Sequence, residues 1–289
     1  MKFLYLREDI ERWRDKSHRR TAALAVRNER QALSFINSVG FCLAAKADGL
    51  ELPNLWDAVT SAQFKAIRFN NEDTPKRSYY LSYAWEIQGI LPNHNSVFYG
   101  KIFKRRPSLV SKEFFPYFYA LTERTGAKDE HKTEHAHGRL SSTAKNIMDV
   151  LMKNEPMTAK ELRFAISGRG KKSVADFERA IEELQRKMFV ARIVGTRNSF
   201  GAEWSPIIKC FAAEVRRSRK ISTELARFRL LERYFENQLV STINTIHDVF
   251  GWQRQIIYHT IGQLVHAGRI TTAAVENNGS TTSCYCLIR

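Results

Sequence analysis

The stretch that decides the fold is residues 141–206, SSTAKNIMDVLMKNEPMTAKELRFAISGRGKKSVADFERAIEELQRKMFVARIVGTRNSFGAEWSP. Apolar residues recur in it at the period of an amphipathic helix three times in succession. The second of these helices begins with a capping box, in which Thr158 is followed three residues later by Glu161. Two short β-rich runs then flank a polar segment, residues 195–201, which has glycine at both ends, as in a hairpin. Three helices followed by a hairpin predict a winged helix, a helix-turn-helix module with a β wing. The predicted apolar stripes are Ala144, Ile147, Met148 and Leu151; Leu162, Ala165 and Ile166; and Phe177, Ala180, Ile181 and Leu184.

The same order of elements recurs near the C-terminus. A short helix ends at Gly251, an amphipathic helix closes at Gly268, and a turn at residues 277–279 separates two β-rich runs. A divergent repeat favours tandem modules over one large core, although a coincidence between amphipathic helices stays open. A shift of 77 residues lays Ile257, Tyr258, Ile261 and Val265 over Ala180, Ile181, Leu184 and Met188.

The length of 289 residues and the 43% hydrophobic content allow two or three small domains, each with its own core. We predict an α+β, mainly α fold made of tandem winged-helix domains. The predicted boundaries are an N-terminal winged-helix-like domain at 1–122 with an aromatic and basic insertion, a linker at 123–137, a central winged helix at 138–208 and a C-terminal winged helix at 209–289.

The net charge of +16 points to a nucleic acid, an anionic membrane or an acidic protein as partner. The chain has no run of 18 apolar residues, so we expect no membrane span. Charged residues occur within residues 1–7, too early for the apolar segment of a secretory signal. Four scattered cysteines without a CxxC pair fit a reducing, cytoplasmic setting. His131, His135 and His137 suggest a metal site, but no further ligand completes one, which favours solvated linker histidines. We therefore expect no metal and no cofactor.

Residues 79–121 are densely aromatic and contain a basic cluster, Lys101, Lys104, Arg105 and Arg106. Aromatic rings interleaved with cations suit stacking on bases together with phosphate pairing. An aromatic core with a basic rim is an equally good interpretation. A second basic run, at residues 12–20, also contains acids and is typical of a solvated helix face.

In a winged helix the third helix usually enters the major groove, and the wing follows the backbone or the minor groove. The acid Glu182 on the central third helix would repel DNA, so that helix would hold the backbone rather than read bases. The corresponding C-terminal helix has no acid on its outer face, where Arg and Gln could contact base edges. The predicted partner is duplex DNA, and a protein-binding role for either helix stays open. The predicted contacts are Lys171, Lys172, Arg179, Arg186 and the wing residue Arg197 in the central module, and Arg254, Gln255, His259 and Gln263 in the C-terminal one.

The N-terminal region resembles a known family. Phe35-Ile36-Asn37-Ser38-Val39, Leu55-Trp56 and the segment YAWEIQGILP at 83–92 are similar to the AlkZ/YcaQ-type DNA glycosylases. Residues 35–42, 50–59 and 116–121 more closely resemble an offshoot, the AlkZ-related proteins. The resemblance implies three tandem winged helices around a concave DNA-binding face. It also implies excision of bulky alkylated bases and unhooking of interstrand crosslinks without metal or cofactor.

The chain departs from that family at its catalytic motif. The family carries Gln-hydrophobic-Gln or Gln-hydrophobic-Asp where this chain has Phe35-Ile36-Asn37. The resemblance implies that the second polar residue positions the water that attacks the sugar C1′, and a carboxylate there also steadies the developing positive charge. Asn37 could orient a water but cannot act as a carboxylate base. Either the chemistry has moved, with Glu86 the nearest candidate, or the fold serves binding alone.

The sequence therefore predicts a DNA-binding protein related to repair glycosylases, cytoplasmic and associated with the nucleoid. The alternative is a non-enzymatic transcriptional regulator. A purely structural role for the motif is the other possibility: Phe35 and Ile36 would be core residues, and Asn37 would cap or turn the chain. The oligomeric state stays open.

Overall fold

A computed structural model describes residues 3–60, 91, 96–154, 156–167, 174–194, 202–277 and 280–288. The chain belongs to the α+β class and is mainly helical, as predicted. Among the described residues, no helix combines the length and the apolar character needed to cross a membrane. The helices are α1 (Arg7–Ser17), α2 (Glu29–Val39), α3 (Leu55–Thr60), α4 (Phe115–Ala120), α5 (Glu130–Ala136), α6 (Ser142–Lys153), α7 (Ala159–Ser167), α8 (Val174–Arg186), α9 (Ile207–Cys210), α10 (Ala212–Ser218), α11 (Thr223–Gln238), α12 (Ile243–Phe250) and α13 (Arg254–His266). The strands are β1 (Phe3–Leu6), β2 (Phe41–Leu43), β3 (Val97–Phe103), β4 (Arg106–Ser111), β5 (Met157–Thr158), β6 (Val190–Val194), β7 (Ala202–Pro206), β8 (Val240–Ser241), β9 (Ile270–Asn277) and β10 (Ser280–Leu287).

The chain forms two compact units. The first combines residues 1–88 with residues 224–289, and the second consists of residues 89–223. The predicted boundaries at 122 and 208 do not coincide with this division. The three-module division stays a prediction, because one compact unit can hold a whole module together with parts of another.

The second unit contains the predicted central winged helix. Helices α6, α7 and α8 precede strands β6 and β7, and the short strand β5 lies between α6 and α7. The three strands form an antiparallel sheet in the order β5, β7, β6. The capping box is present: the backbone N–H of Thr158 donates to Glu161 Oε2 at 2.7 Å, and the N–H of Glu161 donates to Thr158 Oγ1 at 3.3 Å. The predicted stripes are buried in one core, except for Ala165, which is exposed. Leu162 and Ile166, four residues apart, define the buried face of α7, and Ala159 packs against the same core.

The first unit repeats this plan. Strands β8, β10 and β9 form a sheet in that order, and α11, α12 and α13 take the places of α6, α7 and α8. Strand β1 extends this sheet by pairing in parallel with β9. Helix α12 begins at a Thr242 cap, whose side chain accepts the N–H of Thr245, and ends at Gly251 with φ of 68°. The shared connectivity identifies both units as containing a helix-turn-helix with a wing.

The predicted offset of the repeat, 77 residues, is wrong. Helix α8 begins at Val174 and α13 begins at Arg254, 80 residues later. Tyr258 and Val265 are 56% and 43% exposed, so they cannot be the counterparts of core residues. Burial sets the register of an amphipathic helix, whereas an apolar residue on the outer face can mislead an alignment by composition. The buried positions of α13 are Ile257, Thr260, Ile261 and Leu264, and those of α8 include Phe177, Ala180, Ile181 and Leu184.

Most described aromatic residues of the 79–121 zone form a core. Phe115 stacks on Phe211 with ring centroids 4.7 Å apart, and Phe98 meets Phe115 edge-on at 5.3 Å. Aromatic pairs in these geometries stabilise beyond their buried area. The core interpretation is therefore confirmed for the buried rings, while residues 79–85 lie outside the described part. The buried rings are Phe98, Phe103, Phe114, Phe115, Phe118 and Tyr119, with Tyr99 8% exposed.

Residues 123–137 are not a solvated linker. They contain helix α5 and the side chain of Arg124, whose guanidinium lies 3.8 Å from the Phe189 ring centroid and donates to the Met188 carbonyl at 2.7 Å. His131 is buried, with Nε2 3.0 Å from Asp149 Oδ1. The expectation of a solvated histidine is wrong here because a carboxylate 18 residues away satisfies the ring. His137, by contrast, is exposed.

Two glycines give a matched test of packing in the second unit. Gly126 and Gly138 both have positive φ, 75° and 70°, but a Cβ on Gly126 would overlap Val215 Cγ1, whereas one on Gly138 meets nothing within 4 Å. Replacing Gly138 with Ala should cost about 1 kcal/mol because of the left-handed backbone alone. Replacing Gly126 with Ala should cost about 1–3 kcal/mol more, because the Val215 side chain must move. Urea unfolding of the two variants measures the difference, and equal midpoints would contradict the overlap.

Candidate functional site

Helix α2 carries the motif position predicted to matter for chemistry. It begins after Asn28, whose side chain accepts the N–H of Gln31 at 2.9 Å, and ends at Gly40, where φ is 78°. Phe35 and Ile36 are fully buried, which confirms that they are core residues. Asn37 lies inside the helix, which Gly40 caps, so the expectation that Asn37 caps or turns the chain is wrong. Its side chain is exposed. Of the three motif residues, Asn37 is therefore the one that a ligand or solvent can reach.

The surface of α2 next to Asn37 is polar and cationic. Ser34, one turn earlier, accepts a hydrogen bond from Arg19 Nη2 at 3.0 Å, and Arg19 Nη1 donates to the Gln31 carbonyl at 3.1 Å. Arg30 is exposed on the same helix. The only acid in α2 is Glu29, at its first turn. This face can attract an anion and orient a water, but α2 supplies no carboxylate beside Asn37.

The C-terminal end of α2 is fixed by helix α11. Arg233 Nη1 donates to the Ser38 carbonyl at 3.0 Å, and Asn237 Nδ2 donates to the Val39 carbonyl at 2.8 Å. The last carbonyls of a helix have no partner within the helix and carry partial negative charge, so a cation and an amide are suitable donors. These two bonds hold the motif helix at its end nearest Asn37.

The end of α11 is capped in turn by helix α1 and the residue after it. Trp13 Nε1 donates to the Glu236 carbonyl at 3.1 Å. The Asn237 carbonyl accepts from Ser17 Oγ at 3.0 Å and from His18 Nε2 at 3.1 Å. Sequence reasoning did not find this set, because its members lie at opposite ends of the chain. We call it the cap network: Trp13, Ser17 and His18 on the carbonyls of α11, and Arg233 and Asn237 on those of α2.

His18 is neutral within the cap network. Burial, reinforced by the charges of Arg20 and Arg14, lowers its pKa from 6.5 to about 3. Because a carbonyl only accepts, Nε2 must carry the hydrogen that the Asn237 carbonyl receives. His18 is thus a structural donor already in use, rather than a proton carrier.

The basic cluster of residues 101–106 forms the tip of the β3–β4 hairpin. Lys104 and Arg105 have φ of 41° and 62°, as a two-residue type I′ turn requires, although glycine and asparagine usually occupy such positions. Lys101 Nζ lies 2.8 Å from Glu182 Oε2 on α8, and Arg105 Nε lies 3.4 Å from Glu182 Oε1. The hydrogen bond from Lys101 lowers the pKa of Glu182. The negative charge of Glu182, which was expected to repel DNA, is therefore balanced by the cations of the hairpin.

The other predicted contact residues are divided between the units. In the second unit, Arg106, Arg179 and Arg186 are exposed, and Arg179 Nη2 lies 2.6 Å from Asp176 Oδ1. Asn37, Arg254 and Gln255 belong to the first unit. Glu86, Lys171, Lys172 and Arg197 lie outside the described residues. Within the described part of the chain, no three histidine, cysteine, aspartate or glutamate side chains gather as a metal site would need.

Helix α13 has an outer face with no carboxylate. None of its 13 residues is Asp or Glu. Its buried stripe faces the core, and its exposed residues are mostly polar or aromatic, with Val265 as an apolar exception. A Cβ added at Gly262 would meet nothing within 4 Å. Helix α8 differs, since its outer face carries Glu182 bound to the β3–β4 hairpin. The exposed residues of α13 include Arg254, Gln255, Tyr258, His259, Gly262 and His266.

Comparison with known proteins gives two matches. The profile of the AlkZ-related family matches residues 26–233. Among solved structures, Streptomyces sahachiroi DNA glycosylase AlkZ resembles this chain with a TM-score of 0.56 at 13% sequence identity, covering 99% of this chain and 70% of that one. At this identity the likeness is one of fold. A search of curated proteins found no match.

The buried neutral His18 predicts how stability responds to acid. Its folded pKa, about 3, lies below the ordinary value of 6.5, so the unfolded chain binds this proton first as pH falls. Stability should fall as pH drops below 6.5 and continue to fall toward about 3, with a slope of up to about 1.4 kcal/mol per pH unit from this residue. His18→Gln, which keeps a donor but cannot ionise, should flatten that slope.

Urea unfolding at a series of pH values measures this effect. His259→Gln, a change of the same kind at an exposed site, should retain the acid dependence of the unmodified protein. If the free energy of unfolding depends on pH in His18→Gln as it does in the unmodified protein, another group causes the loss of stability in acid.

Proposed function

The chain belongs to the AlkZ-related family, and from this premise we propose that it binds duplex DNA and acts in the repair of alkylated or crosslinked bases. The family relationship and the fold of AlkZ, a DNA glycosylase, support a repair role. The net charge of +16 supports a polyanionic partner. We propose that it works at the chromosome in the cytoplasm. Its four cysteines are free, as is usual in a reducing compartment.

The observation that carries the proposal is the acid-free outer face of α13. In a winged helix this is the helix that enters the major groove. Arg254 and Gln255 lie in its first turn, which is the part of a recognition helix that contacts base edges. Arginine pairs with guanine and glutamine with adenine through two hydrogen bonds each. Gly262, without a side chain, would let the helix backbone approach the duplex closely.

The β3–β4 hairpin is the second proposed contact. Lys104, Arg105 and Arg106 are exposed at its tip, and Arg105 retains 68% exposure of its side chain beside Glu182. The type I′ turn needs positive φ at both residues, and glycine or asparagine would meet that need with less strain, so the use of two cations there supports a role for their charge. We assign this tip to phosphate contacts, which hold a protein on DNA without reading sequence. Lys101 is better assigned to anchoring the hairpin, since Glu182 binds it at 2.8 Å.

For chemistry, we propose that Asn37 orients the water that attacks C1′ of the damaged nucleotide. Its exposed amide on a cationic face supports this role. An amide cannot remove the proton of that water, so base catalysis needs a carboxylate from another segment, with Glu86 as the motif candidate. The alternative function is a non-enzymatic regulator, which the buried Phe35 and the base-reading residues of α13 would favour.

Duplex binding is tested with Arg254 and Gln255. Replacing both with Ala should weaken binding to a duplex by about tenfold or more, because each bidentate contact is worth about 1–3 kcal/mol. Affinity of the unmodified protein should fall steeply with salt, since cations displace counterions from phosphates. Fluorescence anisotropy with a labelled duplex measures both. Arg12→Ala removes one charge on the exposed side of α1 and should weaken binding far less; equal losses would count against α13 as the contact.

Glycosylase chemistry is tested by restoring a carboxylate. Asn37→Asp should accelerate release of an alkylated base from a duplex by about 100-fold, the lower range for a positioned general base. Abasic product is measured as strand cleavage after alkali. Ser38→Asp adds the same charge at the neighbouring exposed position and should not accelerate release. If neither the unmodified protein nor Asn37→Asp yields abasic product while duplex binding persists, the regulator is the better description, and selection of one sequence from random duplexes would support it.

A further inference from the structure

A groove of about 600 Å³ lies within the second unit, between strand β3, the start of α7, helix α8 and the wing strands β6 and β7. Its volume falls in the range of small-ligand sites. None of the functions considered above uses it. The residues that give the groove its chemistry are Tyr99, Lys101, Lys160, Gln185, Arg192 and Trp204.

Two aromatic side chains and a guanidinium group lie next to one another in the groove. Arg192 on β6 and Trp204 on β7 are direct cross-strand partners, so their side chains share one face of the sheet. The Arg192 guanidinium lies 5.4 Å from the centre of the Tyr99 ring. At this distance the negative face of the ring attracts the guanidinium, which helps to hold Arg192 in the groove. Trp204 is partly buried against the core and also lines the groove, so its indole is fixed where a flat ligand could stack.

The polar lining favours a ligand that has both an anionic group and hydrogen-bonding edges. Gln185 is only 5% exposed, and its amide can donate and accept like the edge of a base. Lys160 is exposed at the rim, while Lys101 is held by Glu182. Glu178 is the single carboxylate in the described lining, against three cations. Stacking surface, amide and excess positive charge together match a nucleotide.

We propose that this groove binds one nucleotide unit, with the base against Trp204 and the phosphate on Arg192 and Lys160. The unit would be either an unpaired nucleotide in a strand or a free nucleotide. The proposal does not depend on duplex binding by α13, because that helix belongs to the first unit and can be altered separately. The β3–β4 hairpin, the second proposed phosphate contact, belongs to the same unit as the groove. A site for an unpaired nucleotide in that unit would let the protein hold DNA at a disrupted base pair.

The test is a fluorescence titration of the full chain at low salt, with a short single-stranded oligodeoxythymidylate and, separately, with deoxyadenosine monophosphate. Binding should quench tryptophan emission, and the quenched component should be absent in Trp204→Phe. Arg192→Ala and Arg192→Lys should each weaken binding by about tenfold, because Arg192 is assigned to the phosphate and lysine cannot reproduce the two-pronged contact of a guanidinium. Lys160→Ala should weaken it less, and Lys153→Ala, an exposed lysine outside the groove, should leave it unchanged. Thermal unfolding of each variant checks the fold, and Lys160, being exposed, provides a variant that does not disturb the core.

Each outcome decides the proposal. Quenching by the oligonucleotide alone supports an unpaired nucleotide in a strand, and quenching by both ligands supports a site for the nucleotide unit itself. No quenching by either ligand overturns the proposal. So does binding that is unchanged in folded Arg192→Ala, while normal binding by Arg192→Lys would overturn the assignment of a two-pronged guanidinium contact to the phosphate. Duplex affinity of the Arg254 and Gln255 variant is measured in parallel, so the two ideas can fail independently.

Discussion

The capping of buried helix ends by side chains from distant segments is the constraint on which the first unit depends. The carbonyls of Glu236 and Asn237 end α11, and a buried carbonyl without a donor costs free energy comparable to a lost hydrogen bond. Their donors, Trp13 and His18, lie more than 200 residues earlier in the chain. The N-terminal helix and the C-terminal winged helix therefore stabilise each other within one compact unit, and Asn237 holds α2 in the same arrangement.

Helices α8 and α13, each the third helix of its winged helix, show how the same element can have two different roles. Helices α8 and α13 occupy the same place in the same connectivity. Glu182 on α8 accepts Lys101 of the β3–β4 hairpin, so an acid that would oppose a polyanion instead stabilises a protein contact. Helix α13 has no acid to attract such a hairpin. The presence or absence of carboxylates on the outer face thus separates a helix that binds a hairpin of its own chain from one whose outer face can meet a polyanion.

Local signals in the sequence predicted most elements of the fold, and contacts between distant segments limited the rest. The Thr158–Glu161 capping box and the buried stripes follow from spacing alone, because helix geometry makes them local. The basic run at 12–20 was expected to be solvated, yet Arg14 and Arg20 keep only 15% and 14% of their side-chain exposure. Their partners include Glu51 and Glu11. Periodicity reports which face is apolar, but it cannot report that a cation is paired and covered by another segment.

In the candidate site, positive charge lies on α2, whereas a group that could accept a proton must come from another segment. Asn37 lies on a face that includes Arg19 and Arg30, which favours an anion but lowers the basicity of any group placed there. His18 cannot compensate, since its ring is buried and its Nε2–H is already committed to a carbonyl. Helix α2 by itself therefore has the electrostatics of a binding surface rather than of a hydrolytic centre. Any base must come from outside α2, and the cationic face would then hold that carboxylate ionised, which is the form that activates water.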